Sequence, residues 1–263
     1  MSPLRFAINL TRFLACMVWS GVWITAALVI LLLTWRPQIP LTMARTIWGP
    51  GILWLAGGTL ECRLDEEIDW DQPHIFVCNH QSMLDIPSAF VALRAPLRFV
   101  AKRSLERIPF LGWYMRATGM VFVERGNPVE ARRSVALAGQ RVREGHGSLL
   151  VFPEGTRSKD GKIHAFKKGP FALALEAGVP LVPVAIEGSR HVMHPRGLGG
   201  HPGTIVVRVG RPIPTSDLDP SDRGALARLT RAKMIELHRS IGGPSTHDDH
   251  LDGDAAQARR GHA

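Results

Sequence analysis

From Phe13 to Trp35 the chain runs 23 residues without a charged side chain. As an α-helix that run is about 34 Å long, at about 1.5 Å per residue, enough to cross the hydrocarbon core of a bilayer. Arg12 and Arg36 bracket it, and Trp19, Trp23 and Trp35 suit the two interfaces. The run is longer than the apolar core of a signal peptide, and no small-residue cleavage site ends it. Residues 1–60 are therefore expected to anchor the chain in a membrane. A second apolar stretch, Ile47 to Leu60, contains Gly49, Pro50, Gly51, Gly57 and Gly58. It is too short and broken for a second span and reads as a partial or surface-lying element.

A total of 263 residues leaves room for one domain beside this anchor. With 45% hydrophobic and 21% charged residues, that domain has material for a core. The charge is distributed unevenly. Residues 61–85 carry seven acids and one base, whereas residues 86–216 carry 20 bases and eight acids. A basic block of that kind suits an anionic partner: a phosphorylated small molecule, an anionic membrane surface or nucleic acid. Cys16, Cys62 and Cys78 are too few and too scattered for a disulfide framework or a cysteine zinc cluster.

Beyond the anchor, short apolar runs alternate with helical patterns, as in α/β proteins. Strands are predicted at His74–Cys78, Leu97–Ala101, Met120–Glu124, Ser148–Phe152, Pro180–Ile186 and Thr204–Val209. Helices are predicted over about 86–94, 104–117, 128–144, 167–177 and 222–240. The third has a start signal: Asn127 to cap, Pro128 in the first turn, and Glu130 to complete a capping box. Pro180 and Pro183 suggest an edge strand or one with shaped ends. The expected domain covers 61–241, and the tail 242–263, without apolar periodicity, is expected to be disordered.

The strongest chemical signal is Asn79-His80-Gln81-Ser82-Met83-Leu84-Asp85, directly after the first strand, where α/β domains expose functional groups. Five residues apart on one helix, His80 and Asp85 would point about 140° apart. To pair, the chain must turn between them, with Asp85 near a helix start. A carboxylate holding an imidazole in one tautomer leaves the other nitrogen to take a proton from a hydroxyl. The bland alternatives are a capping Asp85 and a structural His80. A second signal, Val151-Phe152-Pro153-Glu154-Gly155-Thr156-Arg157-Ser158, puts an acid, a glycine, a hydroxyl and a guanidinium on one turn. Such a turn suits a phosphate or polar head group. A third runs from Lys102, at one strand end, through Ile108-Pro109 to Gly119 and Arg125, at the next. Lys102 and Arg125 are expected to face one crevice.

Taken in order, N-H-x4-D, K-x-x-L-x-x-[IV]-P-x-x-G with G-x-x-F-[IV]-x-R, F-P-E-G-T-R-S and V-P-x-x-P-V resemble the glycerolipid acyltransferases over about residues 70–190. Arg103 departs from the pattern, since the family commonly has an acid there. The resemblance is nearest to the family's enzymes that acylate 1-acyl-sn-glycerol 3-phosphate. It implies an α/β domain with a central mixed sheet flanked by helices, and an N-terminal membrane helix.

The implied activity is transfer of an acyl group from acyl-CoA or acyl-carrier protein to the sn-2 hydroxyl of lysophosphatidate, giving phosphatidate. His80 is implied as general base and Asp85 as the group that orients it. Glu154, Gly155, Thr156 and Arg157, with Arg125 and Lys102, are implied to bind the glycerol phosphate. No cofactor or metal is implied, the acyl thioester being a co-substrate. The expected partners are membrane lipids and the expected location is the bacterial inner membrane, with the catalytic domain facing the cytoplasm. Another lyso-lipid acceptor, such as a lyso-ornithine lipid, is the alternative. Nucleic acid is not expected: the chain has one Tyr and no recognised nucleic-acid module, and the basic residues coincide with the motifs. His191/His194 and His247/His250 have metal-ligand spacing but no third ligand in a rigid setting.

Overall fold

The computed structural model describes residues 2–124, 128–145, 147–194 and 200–244. Seven strands form one sheet: β1 (Gly58–Leu64), β2 (Ile75–Cys78), β3 (Leu97–Lys102), β4 (Val121–Val123), β5 (Ser148–Val151), β6 (Leu181–Glu187) and β7 (Gly203–Val209). Their order is β1-β7-β6-β2-β5-β3-β4. Among the described strands only the β6–β7 pair is antiparallel, so the sheet is mixed.

Central β2 shows why the sheet is sandwiched. All four residues are buried, with Phe76 and Cys78 in the core on one face and Ile75 and Val77 in the core on the other. Both faces must therefore be covered. One is covered by α1 (Pro3–Thr34), α3 (Gly49–Ala56), α4 (Asp85–Ala92) and α5 (Leu111–Ala117). The other is covered by α6 (Pro128–Arg143), α7 (Gly169–Ala177) and α9 (Arg223–Ser240). Short helices α2 (Gln38–Met43) and α8 (Ser189–Val192) complete the α-helices of the described residues.

The 32-residue α1 is long and apolar enough to cross a membrane by length and composition. It does not stand clear of the domain. Cys16, Trp23 and Ala27 form one stripe that is buried. The Trp23 ring meets Tyr114 of α5 edge-on, with centroids 4.7 Å apart. Trp19 and Trp48 tie α1 to the turn before α3, through Trp19 Nε1–H to the Trp48 carbonyl (3.2 Å) and Trp48 Nε1–H to Ser20 Oγ (3.1 Å). The remaining faces leave Leu14, Val18, Val22, Leu32 and Leu33 exposed.

Three readings change. The stretch 47–60 contains α3, packed against α1 and α4, and the start of β1, which pairs with β7 and straddles the expected boundary at residue 60. The single helix expected over 104–117 is a 3-10 turn, Arg103–Arg107, followed by α5. Pro109 forces Ile108 into an extended conformation (ψ 119°) and ends the first piece. Gly112 lets the second piece fold back, since a Cβ there would lie 2.1 Å from the Glu106 carbonyl oxygen. β6 is interior, not an edge. Its Pro183 is tolerated because it falls between the Leu181–Ile213 bridge and the ladder that begins at Val184–Val209. There two residues of β6 oppose three of the partner chain, a bulge in which the missing N–H removes no ladder bond. Finally, Arg103 and Arg116 flank Glu106 at 3.8 and 3.6 Å. Asn127 lies outside the described residues.

Candidate active site

The end of β2 is fixed before any chemistry begins. Buried Asn79 donates to the Ile186 carbonyl (2.9 Å) and accepts the Ile186 N–H (2.8 Å), clipping β2 to β6. The next residue is His80. Its Nδ1 lies 2.7 Å from Asp85 Oδ2, and the Asp85 carboxylate is fully buried. With Nδ1–H donating to that carboxylate, Nε2 keeps its lone pair. The required turn is present: α4 begins at Asp85, and residues 82–84 bring the chain round. Asp85 is not a cap for its own helix. Its Oδ2 accepts the N–H groups of Gln81 (2.6 Å) and Ser82 (2.7 Å), which precede it. Its Oδ1 accepts Ser189 Oγ–H at 2.5 Å.

The Glu154–Ser158 turn closes on the same histidine. The His80 N–H donates to Glu154 Oε1 (3.3 Å), and the His80 carbonyl accepts the Ser158 N–H (2.7 Å). Glu154 Oε2 accepts the His164 N–H (3.1 Å), so both carboxylate oxygens are engaged by backbone. Burial pushes the Glu154 carboxyl above its ordinary value, opposed by these two N–H groups and the charge of the two histidines. Phe152 stacks on the imidazole, with centroids 4.2 Å apart and planes 23° from parallel.

Gly155 is required by its backbone, whose φ of +71° is one that other residues rarely adopt; the flexible end of the Lys167 side chain lies against it, with Nζ and Cε 2.8 Å from where a Cβ would sit. Lys167 is held in place by its N–H to the Pro153 carbonyl (2.9 Å). A cavity of about 480 Å³ opens beside His80, walled by apolar residues such as Phe99 of β3, Leu105 of the 3-10 turn, Val123 of β4, Val151 of β5 and Leu173 of α7. Among the described residues, Lys102 and Lys167 are the Lys or Arg side chains lining it, and Gly155 lies on its wall. Thr156 is exposed and Arg157 half-buried, both off this wall. Neither side chain has a hydrogen bond or ion pair among the described residues, so the guanidinium is available to an anion. Arg125 lies outside the described residues.

Sequence reasoning passed over three groups here. Ser189 is the first residue of α8, two residues past the end of β6. Lys167 lies beyond the Glu154–Ser158 motif, in the loop before α7. His238 of α9 places Nε2 2.6 Å from Glu187 Oε2, and Gln81 Nε2 lies 3.3 Å from the same oxygen, so the residue after His80 is braced from the far helix. Burial pushes the Cys78 thiol well up, and Cys78 lies inside a strand, so the site has no thiolate nucleophile there. Among the described residues, no group of three or more His, Cys, Asp or Glu is placed to hold a metal ion.

Residues 59–187 match the sequence profile of the acyltransferase family. A curated relative, 1-acyl-sn-glycerol-3-phosphate acyltransferase of Saccharomyces cerevisiae, is 34% identical over 183 residues, covering 68% of this chain and 60% of that protein. The chain thus spans less than two thirds of the yeast protein's length. The protein of the same name from Salmonella typhimurium is 31% identical over 191 residues, covering 71% of this chain and 77% of that one. The crystal structure of the 1-acyl-sn-glycerophosphate acyltransferase PlsC from Thermotoga maritima superposes with a TM-score of 0.74 at 27% identity, covering 92% of this chain and all of that one. Similarity of this extent, to relatives in sequence and to a solved structure in backbone, places the chain in the acyltransferase family.

Proposed function

We propose that this protein transfers an acyl group from a thioester to the sn-2 hydroxyl of 1-acyl-sn-glycerol 3-phosphate, giving phosphatidate. The observation that carries this is the 2.7 Å contact between His80 Nδ1 and buried Asp85, at the mouth of an apolar cavity. In this reading His80 Nε2 takes the proton of the acceptor hydroxyl, whose oxygen attacks the thioester carbonyl carbon. The tetrahedral intermediate collapses with cleavage of the C–S bond, and the proton held by His80 passes to the departing thiolate. General base catalysis of this kind contributes about 10²–10⁴-fold.

Asp85 orients the imidazole and stabilises its charged form. The apolar cavity takes acyl chain, while Lys102, Lys167 and Arg157 attract the acceptor phosphate. Thr156 and Gly155 shape that turn, and Arg125 is assigned to it from its motif alone. Glu154 acts as a clamp on the His80 backbone rather than as a phosphate ligand, because both its oxygens are engaged and its charge would repel the anion. The reaction asks for no cofactor beyond the acyl donor. The apolar faces of α1 suit attachment to the inner membrane of a bacterium, with the site on the cytoplasmic side, where acyl thioesters are found.

The test is direct. The purified protein is given one labelled acyl donor and a panel of lyso-lipids, including 1-acylglycerol 3-phosphate and lyso-ornithine lipid. Lysophosphatidate is expected to be the best acceptor; preference for another lyso-lipid overturns the acceptor assignment.

A further inference from the structure

Segment 166–169 separates the His80 cavity from a second cavity of about 530 Å³. Successive residues alternate between the two: Phe166 and Lys168 line the second, Lys167 and Gly169 the first. The second cavity carries Lys162, His164, Lys168, Arg228 and Arg231 against a single acid, Asp160. That acid is already engaged. Its Oδ1 accepts from Ser158 Oγ (2.9 Å) and the Lys162 N–H (3.1 Å) and lies 2.9 Å from His164 Nε2. The wall is also held from behind. Arg231 donates to the Ile163 and His164 carbonyls at 3.1 and 3.2 Å, and Glu154 accepts the His164 N–H.

The position of this cavity matters as much as its charge. Its residues belong to the loop after the Glu154–Ser158 turn and to α9, on the sheet face that carries α6, α7 and α9. The long apolar α1 packs on the opposite face. A ligand entering here arrives from water, and the residues that meet it are those that pair with phosphate oxygens. The acceptor lipid does not need this site, since its phosphate has cations beside His80. The second substrate does: a thioester must reach His80 while its water-soluble carrier stays in solvent.

We propose that this basic cavity holds the phosphorylated nucleotide head of a coenzyme A thioester, the pantetheine arm passing over segment 166–169 to set the thioester beside His80. This rests on the acyl-transfer reading and specifies its donor.

Two measurements on the full-length protein in detergent test it. Adenosine 3′,5′-bisphosphate, which lacks the arm and thioester, is titrated against wild type and a Lys168→Ala/Arg228→Ala double variant. Transfer is then compared with the acyl group on CoA, on pantetheine and on acyl-carrier protein. The bisphosphate is expected to bind wild type and compete with acyl-CoA. The double variant is expected to bind it about tenfold more weakly, and the ratio of kcat/KM for acyl-CoA to that for acyl-pantetheine is expected to fall by about the same factor. Absence of bisphosphate binding, or an equal fall with both donors, overturns the proposal. A fall confined to acyl-carrier protein also overturns it and assigns the cavity to an acidic protein surface. Wild-type protein that acylates no lyso-lipid from any donor overturns the acyl-transfer reading instead, while the titration still decides the ligand of the cavity.

Discussion

Ser189 Oγ lies 2.5 Å from Asp85 Oδ1, while His80 Nδ1 occupies the other oxygen of the same buried carboxylate at 2.7 Å. The serine and the histidine therefore share one anion, and the serine sets how that anion is turned. Ser189→Ala removes a donor to a charged group, worth about 1.5–3 kcal/mol. The expected result is a fall in kcat of about tenfold or more, with little change in the KM of either substrate. Asp85 then has only His80 and two backbone N–H groups to hold it. Ser189→Thr, which keeps the hydroxyl, is expected to restore kcat. A threonine variant as slow as the alanine variant shows the serine to be a packing residue.

His80→Ala is expected to lower turnover by at least the roughly 10²–10⁴-fold that a general base supplies. Circular dichroism and recovery in the membrane fraction should match wild type, because the ring is partly exposed and its one polar contact among the described residues is with Asp85. Turnover near the wild-type rate in a folded variant removes His80 from the mechanism.

Arg157→Ala tests the acceptor side. The guanidinium has no protein partner among the described residues, so its loss should cost no stability. The KM for the lyso-lipid is expected to rise about tenfold, from loss of one charge-assisted contact of about 1.5–3 kcal/mol. The KM for the acyl donor should stay where it is. The opposite pattern moves Arg157 to the donor side.

His238→Leu tests the brace behind the motif. Burial raises the Glu187 carboxyl, but the His238 contact, the Gly188 N–H and Gln81 outweigh it, and the net shift is downward. A carboxyl lowered in the folded state adds stability above its ordinary value of 4.5, and that stability is lost as pH falls through the lowered value. Removing His238 takes from a buried acid its shortest side-chain contact, expected to cost roughly 3 kcal/mol near neutral pH. Chemical denaturation of wild type and variant at several pH values measures this. The gap should narrow as the solution is acidified past pH 4.5. A gap that stays constant with pH means the loss comes from packing.

What could be read along the chain was local. His80 and Asp85 are five residues apart, and a strand before them with a proline-containing helix after them makes the turn visible in one short window. Alternating apolar runs likewise exposed six of the seven strands. β1 was hidden because most of its residues are exposed at a sheet edge, so it lacks the apolar signature, and its partner β7 comes at the far end of the domain. Ser189 was hidden for a related reason: it is 104 residues from the carboxylate it meets. His238 is 157 residues from Gln81. In both cases a common residue type becomes informative only after the sheet has brought distant strand ends together. Pro183 misled because a proline inside a strand signals an edge unless a bulge absorbs it, and the bulge depends on the register of residues 210–213.

The Glu154–Ser158 turn grips His80 at both its N–H and its carbonyl. The base and the turn are thus parts of one rigid frame, although 74 residues separate them in the chain. A displacement of the turn by an arriving head group must carry the histidine with it. Evolution of a new acceptor preference through this turn would be felt at the proton-transferring nitrogen. Loops beyond the frame, such as the segment after Lys102, offer the freer route to altered specificity.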